Sequence, residues 1–279
     1  MNGFQAIKRQ LLPLLRGLPI ILGVFGLSLF LARKVILYTP NTYQTIARIK
    51  LDDQRFGFSN STLYSDFDVF AVESRVQSEA ILLSSPVLIG MALDSLDFEV
   101  SIYRKGKVKN TMLYDDSPIL VSYDFLSEDL FDKDYTIRVL DDGNYVLLNI
   151  DGDVPISEPK VFGQPLMLEG GILTIEKNDV LLAQRELDLA GDYVIHIFSR
   201  HGLMEDVRGR LDVTEMDKEI QILRVVYKDQ HPKKVAALAN AICQTYVNDY
   251  IATKSEAAQA TVVFIDQKID EVHLIRHTC

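Results

Sequence analysis

The chain has 279 residues, of which 48% are hydrophobic and 24% are charged, a composition typical of folded protein rather than of a disordered chain. Its formal net charge is −10, and the charge is unevenly distributed, because the first 50 residues contain no Asp or Glu. A nucleic-acid partner is disfavoured for so acidic a chain, since phosphate binding needs concentrated positive charge.

The N-terminus is basic and then apolar. Lys8, Arg9 and Arg16 precede the uncharged run "LPIILGVFGLSLFLA", and Arg33 and Lys34 interrupt it before "VILY". If those two side chains reach the far interface, the segment is long enough for a membrane helix, which needs about 17 to 25 residues. A cleaved signal peptide shows the same order, but no small-x-small cleavage site ends the run. We favour the anchor; the flanking basic residues do not decide its orientation.

The segment after the anchor mixes strand and helix patterns. Alternation predicts a strand over "YQTIARIK" (43–50), and a polar loop follows at 57–61. Apolar residues three or four apart predict a helix over 66–83. Ser85 is a suitable cap for a second helix, in which Pro86 occupies the first turn.

The middle of the chain is rich in strand patterns. Alternating side chains separated by Gly, Asp and Pro turns predict a hairpin about Gly106, a strand at "SPILVSYDF", a hairpin turning at 141–144, and strands at "GGILTIEK" and "GDYVIHIF". These short strands indicate a small sandwich over about 117–200. A short helix near 203–208 and a strand at "EIQILRVVY" (219–227) follow.

A long helix is predicted from Pro232 onward, because no further Gly or Pro interrupts the chain. About forty residues at 1.5 Å each would span roughly 60 Å, more than a domain of this size needs. The helix could pack along its own domain or form a stalk or oligomer contact, and the two could coexist on different faces. Its apolar stripe comprises Val235, Leu238, Ile242, Tyr246, Tyr250, Ala257, Thr261, Phe264, Ile265 and Ile269.

Common catalytic and metal-binding motifs are absent from the sequence. No P-loop, G-x-G-x-x-G, G-x-S-x-G or H-E-x-x-H pattern occurs. Cys243 and Cys279 have no zinc-type spacing, and Cys243 is expected to be a packed side chain. The segment 151–153 fits a turn better than a calcium loop, because the further ligands of an EF-hand do not follow.

Two weaker patterns do not change this conclusion. His196 and His201 lie near Glu205 and Asp206 in the sequence, which permits a metal or acid–base hypothesis that the spacing does not enforce. The tyrosines of the helical stripe are expected to pack rather than to form a stacking platform. The sequence therefore predicts no catalytic residue, no cofactor-binding residue and no metal ligand.

Taken together, several segments resemble the Wzz-type chain-length determinant family. These are the basic N-terminus, the first apolar helix, "YQTIARIK", "VESRVQSEAILLSSPVLIGMALDSL", and the stretch from "EIQILRVVY" to "FIDQKI". The most specific match is the last strand, the turn at 229–232 and "AALANAICQTYVNDY". This family comprises the polysaccharide co-polymerases, including ectodomains attached to bacterial tyrosine autokinases. The β-rich middle is similar to the insertion of larger exopolysaccharide-export relatives.

The resemblance implies an α+β fold in the bacterial inner membrane, with a periplasmic head and a long helix descending toward a second membrane span. The chain stops after "DEVHLIRHTC", before such a span or a kinase domain, so it is expected to be the first part of such a protein and not an enzyme. The expected division is a cytoplasmic N-terminus at 1–16, a transmembrane helix at 17–38, the first part of the head at 39–116, a β-rich insertion at 117–200, and the last strand with the long stalk helix at 201–279.

The implied function is non-enzymatic control of the chain length or export of a lipopolysaccharide O-antigen, capsule or exopolysaccharide. Ring-like homo-oligomers would perform this function. The expected partners are membrane lipid and a polymerase or export channel, and the growing glycan is a further candidate. The alternative is a singly anchored periplasmic adaptor or binding module, in which the sandwich holds a partner and the long helix is a spacer.

Overall fold

The computed structural model describes residues 3–51, 76–140, 143–149, 154–185, 188–216 and 221–278. The predicted loop at 57–61, the first part of the helix predicted over 66–83 and the turn at 151–153 lie outside these ranges. The described part mixes helices and strands, which confirms the mixed fold class. Its helices are α1 (Gly3–Tyr38), α2 (Val76–Leu83), α3 (Pro86–Leu93), α4 (Asp179–Gln184), α5 (Arg200–Arg210) and α6 (Pro232–Thr278). Its strands are β1 (Tyr43–Lys50), β2 (Val100–Arg104), β3 (Thr111–Leu113), β4 (Ile119–Phe125), β5 (Lys133–Val139), β6 (Asn144–Leu147), β7 (Lys160–Val161), β8 (Pro165–Leu168), β9 (Gly171–Lys177), β10 (Gly191–Ile197), β11 (Leu211–Glu215) and β12 (Ile222–Asp229).

The predicted N-terminal apolar helix is confirmed. Its segment Leu18–Tyr38 is 21 residues long and contains no buried residue. Within the described ranges it is the one unbroken helix that is apolar and long enough to cross a membrane. Helices α2 and α3, which meet at a bend of 48°, pass the same test as a pair. However, Leu83, Leu88 and Ile89 are buried in the protein core. We therefore interpret α2 and α3 as core helices.

A three-stranded antiparallel sheet in the order β1-β12-β11 forms the first layer. The strand predicted at 43–50 is confirmed at both ends, whereas β12 lies two to three residues later than predicted. Helices α5 and α6 pack on this sheet, and α3 packs against these two helices. Ser85 caps α3 as predicted, because its hydroxyl oxygen accepts from Leu88 N at 3.2 Å. The core between sheet and helices contains Ile49, Leu88, Ile89, Leu203, Val207, Val225, Tyr227, Leu238 and Ile242.

Two further antiparallel sheets share a second core. One has six strands in the order β3-β2-β10-β5-β6-β7, and the other has three in the order β4-β9-β8. The hairpin predicted about Gly106 is confirmed, since β2 pairs with β3, and it belongs to the six-stranded sheet. The hairpin of β5 and β6 is also confirmed. The second core contains Ile119, Ile137, Tyr145, Leu173, Ile175, Tyr193, Ile195 and Ile197.

Helix α6 begins at the end of the first sheet that α1 joins. Tyr43, the first residue of β1, pairs with Asp229, the last residue of β12, and α6 starts three residues later. Because α6 then packs on β1, β12 and α3, it runs back over the sheet and away from the end that α1 joins. The resemblance implies a descent toward the membrane, whereas this helix leads away from the anchored end of the sheet. Its 47 residues make it roughly 70 Å long.

Candidate assembly surface and the root of the long helix

Helix α6 has two parts with different surroundings. In the first part, here called the root (232–250), Val235, Leu238, Ala239, Ile242 and Tyr246 are all buried against the head. These positions recur every three or four residues, so one face of the helix covers the sheet. The predicted apolar stripe is thus confirmed as core packing over the root.

The second part, here called the extension (251–269), has no such cover. All of its described side chains are exposed except that of Lys254, which is half-buried. The packing predicted along the domain is therefore confined to the root, and the stalk or oligomer contact stays a prediction for the extension. The exposed apolar side chains of the extension are those of Ile251, Val262, Val263, Phe264, Ile265 and Ile269. Such a concentration of exposed apolar side chains is typical of an interaction surface.

Side-chain contacts join the root to the neighbouring helices. The Tyr246 hydroxyl donates to Glu79 Oε2 at 3.0 Å, which links α6 to α2. The rings of Tyr246 and Tyr250 stack with their centroids 6.2 Å apart. Both observations support the packing role predicted for these tyrosines. Burial raises the pKa of the Cys243 thiol, as expected for a packed rather than a reactive cysteine.

A buried ionic cluster fixes the start of α6. The Asp229 carboxylate, whose side chain is 1% exposed, accepts hydrogen bonds from Arg210 Nη1 at 2.9 Å and from the Tyr227 hydroxyl at 3.2 Å. Arg210 also pairs with Asp206, one turn earlier on α5. Burial is the main reason that the pKa of Tyr227 is raised. The cluster thus ties the end of β12 to α5.

Lys234 brings a second cation to this cluster. Its ammonium lies 3.9 Å from Asp229 Oδ2, donates to Ser101 Oγ at 3.0 Å and stands 4.8 Å from the centroid of the Phe98 ring. Burial lowers the pKa of Lys234, while the charge of Asp229 opposes that shift. Because Ser101 belongs to β2, this lysine connects the long helix to the six-stranded sheet.

A second group of polar side chains lies at the first turn of α6. His231 Nε2 is 3.9 Å from Asp115 Oδ1 and 3.7 Å from Asp116 Oδ1, and Lys233 pairs with the other oxygen of Asp115. Among the described residues, this is the one group whose ligand atoms stand close enough to share a metal ion. Sequence spacing gave no signal for it, since Asp116 and His231 lie on distant segments.

An open cleft of about 490 Å³ lies where the anchor joins the head. Its polar lining includes Lys109, Asn110, Asp134, His196, Asp206, Arg210 and Gln230, and its aromatic lining includes Tyr38, Tyr103 and Phe198. His196 Nδ1 is 2.7 Å from Asp134 Oδ1, and Asp206 is held by Arg210. Of the four residues in the weak acid–base hypothesis, His196 and Asp206 line this cleft, whereas Glu205 pairs with Arg208 on α5 and His201 is exposed.

An N-terminal apolar helix long enough to cross a membrane, followed by a head of sheets and helices, is the arrangement of a membrane-anchored protein. The chain is 23% identical over 260 residues to the tyrosine-protein kinase wzc of Salmonella typhimurium, a match covering 89% of this chain and 34% of that protein. It is 24% identical over 278 residues to EpsB of Ralstonia solanacearum, which is named as a candidate tyrosine-protein kinase, with 91% and 36% covered.

The chain therefore spans about a third of the length of the curated relatives it matches. No protein-family model matches it. These relatives support the predicted resemblance at the level of the wzc and EpsB proteins. The narrower Wzz-type assignment stays a prediction.

Proposed function

We propose that this chain is the membrane-anchored part of a polysaccharide co-polymerase or export component that controls the chain length or export of a surface polysaccharide. In this proposal α1 lies in the inner membrane and the head lies in the periplasm. The chain performs no chemistry of its own and acts through a homo-oligomer. Membrane lipid, a polymerase or export channel and the growing glycan are its proposed partners.

The exposed extension of α6 is the observation that carries this proposal. Six large apolar side chains over nineteen positions face solvent, among them the consecutive run Val262–Ile265. Burying such side chains contributes roughly 1.5 to 3 kcal/mol for each one fully removed from water. A second copy of the chain offers an identical apolar surface, so neighbouring extensions could bury one another around a closed ring.

In this mechanism the root packs in the head and the extension forms the contact between copies. Because Leu238 and Ile242 are buried in the head of the same chain, charges placed there would disrupt folding before they reported on assembly. Exposed positions of the extension test assembly without this complication. The informative change is the double substitution of Val263 and Phe264 by Glu, which leaves the root intact.

The assembly experiment compares the purified full chain with its variants in detergent by native mass measurement. The double variant is expected to keep its helical content and to lose the oligomer, since each new carboxylate would be buried in the contact. Gln259→Glu, on the same exposed segment, adds a charge without removing apolar surface and is the matched control. An oligomer unchanged in the double variant would exclude the extension as the contact.

The functional experiment measures the length distribution of surface and exported polysaccharide on a gel. It compares the parent strain, a strain lacking the gene, and the deletion carrying the gene with or without the double substitution. Loss of the preferred length on deletion, restored by the unaltered gene alone, is the expected result. A distribution that deletion leaves unchanged would contradict the proposal and favour the anchored adaptor.

A further inference from the structure

Three groups with metal-binding chemistry converge at the start of the long helix. Asp115 and Asp116 lie in the turn between β3 and β4, and His231 directly precedes α6. One ligand atom from each lies within 4.8 Å of the other two. A mixed set of two carboxylates and an imidazole differs from a cluster of acids, because the imidazole nitrogen adds no negative charge and selects softer cations.

The distances within this group fit a shared ion better than direct hydrogen bonds. The separations of His231 Nε2 from the two carboxylate oxygens, 3.7 and 3.9 Å, exceed the hydrogen-bonding range of about 2.7 to 3.2 Å. Two ligands about 2.1 Å from one tetrahedral ion stand roughly 3.4 Å apart. A contraction of roughly 0.3 to 0.5 Å would bring the imidazole nitrogen to this separation from each carboxylate oxygen, and the two carboxylate oxygens already lie within 4.8 Å of one another.

The orientation of the side chains is already fixed. Asp116 Oδ1 accepts from Tyr114 N at 3.1 Å, and Lys233 engages Asp115 Oδ2, which leaves Asp115 Oδ1 directed at the imidazole. The His231 side chain is 12% exposed and packs against the Tyr114 ring at a centroid distance of 5.7 Å. These contacts preorganise the three groups before any ion arrives.

One nitrogen of the imidazole lacks a hydrogen-bond partner among the described residues, and the other faces the two carboxylates. His231 Nδ1 is buried and has no hydrogen-bond partner within the described residues, while Nε2 faces two carboxylate oxygens beyond hydrogen-bonding distance. A divalent cation between the three groups would be attracted by both carboxylates and could accept the Nε2 lone pair.

We propose that Asp115, Asp116 and His231 bind one divalent transition-metal ion, such as Zn²⁺ or Mn²⁺, at the first turn of the long helix. The carboxylates are 41% and 37% exposed on their side chains, so water can complete the coordination shell and the ion can enter from solvent. Mg²⁺ and Ca²⁺ fit less well, because they prefer all-oxygen shells. The ion clamps the turn after β3 to the root of α6, and this inference does not rest on the proposed function.

Metal titration of the full chain in detergent tests the site. The protein is first stripped with EDTA, and ZnCl₂ or MnCl₂ is then added in a calorimeter at pH 7.5. We expect one ion per chain at the site, with an affinity that falls more than about tenfold in His231→Asn. Asn is a good helix N-cap, so this variant should still fold, which circular dichroism checks. Asp116→Asn is a second variant with the same expected loss.

Two further variants sharpen the test. His201→Gln removes an exposed histidine outside the group and should leave the affinity unchanged. Lys233→Gln removes the cation that competes for Asp115 and should tighten binding several-fold. Pulsed electron paramagnetic resonance of the Mn²⁺ form should show nitrogen modulation from a coordinated imidazole, and His231→Asn should abolish it.

The result that would overturn the proposal is equal binding by the unaltered chain and by His231→Asn, because the ion would then lie elsewhere. Failure of the unaltered chain to bind either ion would overturn it as well. Weaker binding in Lys233→Gln would show that this lysine supports the ion rather than competing with it, which contradicts the proposed geometry.

Discussion

Replacing Asp229 with Asn is expected to destabilise the protein far more than replacing Lys234 with Met, although the two side chains face each other at 3.9 Å. The asymmetry follows from what each change leaves behind. Without the Asp229 carboxylate, the buried Lys234 ammonium loses the one carboxylate within 4 Å of it among the described residues, since Ser101 supplies only a hydroxyl. Without the Lys234 ammonium, Asp229 still accepts hydrogen bonds from Arg210, Tyr227 and the Gln230 backbone.

The magnitudes follow from burial. Breaking a buried ion pair by removing one partner costs about 3 to 5 kcal/mol. Arg210 keeps its bond to Asp206, so Asp229→Asn belongs at the lower end, about 3 kcal/mol. Lys234→Met keeps the apolar stem and loses one hydrogen bond, so the expected change is within about 1 kcal/mol. The double variant should be roughly 2 kcal/mol more stable than Asp229→Asn alone, because the unpaired ammonium is gone.

Urea unfolding of the full chain in detergent measures these differences. The protein contains no Trp, so far-ultraviolet circular dichroism is the appropriate signal. Stabilities are compared at pH 7 from the unfolding midpoints, with the slopes checked for constancy. Equal losses in the two single variants would refute this reasoning. So would a double variant whose loss equals the sum of the single losses, because the two charges would then act independently.

Leu238→Ala should cost about 2 to 5 kcal/mol, because the side chain is completely buried, and a urea midpoint unchanged within error would contradict the core packing of the root. Tyr145→Phe should raise stability by about 1 kcal/mol, since its buried hydroxyl has no hydrogen-bond partner among the described residues. Tyr193→Phe should lower the free energy of unfolding by about 1 kcal/mol, because the Tyr193 hydroxyl donates to Leu189 O. A change of the same sign in both tyrosine variants would contradict this reasoning. The hydrogen bonds from Arg138 hold the pKa of Asp192 below its ordinary value of 3.8, so their stabilisation is present above pH 3.8 and is lost as the pH falls below it. Between pH 5 and pH 2, the urea midpoint of Arg138→Met should therefore fall less than that of the unaltered chain. An equal fall in both proteins would show that the Arg138–Asp192 pair does not contribute to the pH dependence of stability.

Strand and helix patterns predicted the elements that bury one face. The alternation of "YQTIARIK" located β1 at both ends, because the strand's alternate side chains face the first core. Pro232 located the start of α6, since a proline suits a first helical turn. The two-residue strand β7 and the short β11 were missed, because so few residues carry no detectable period.

The candidate sites could not be predicted in the same way. Periodicity continues unchanged from Tyr246 to Ile269, so it could not show where the head ends and the exposed extension begins. Lys234 and Ser101 are 133 residues apart, and only the fold brings them together. The same holds for His231 and the two aspartates of the distant turn. Local spacing contains no information about contacts made across so many residues.

The packing of the root makes the rest of the long helix a lever. Its fulcrum lies at about residue 250, because the buried side chains from Val235 to Tyr246 hold the root in the core of the head. The part of α6 beyond this point, 251–278, is roughly 42 Å long, so a bend of about 10° displaces its far end by roughly 7 Å. A bend that leaves the packing of the head unchanged would thus move the exposed apolar side chains of the extension by more than the length of a side-chain contact.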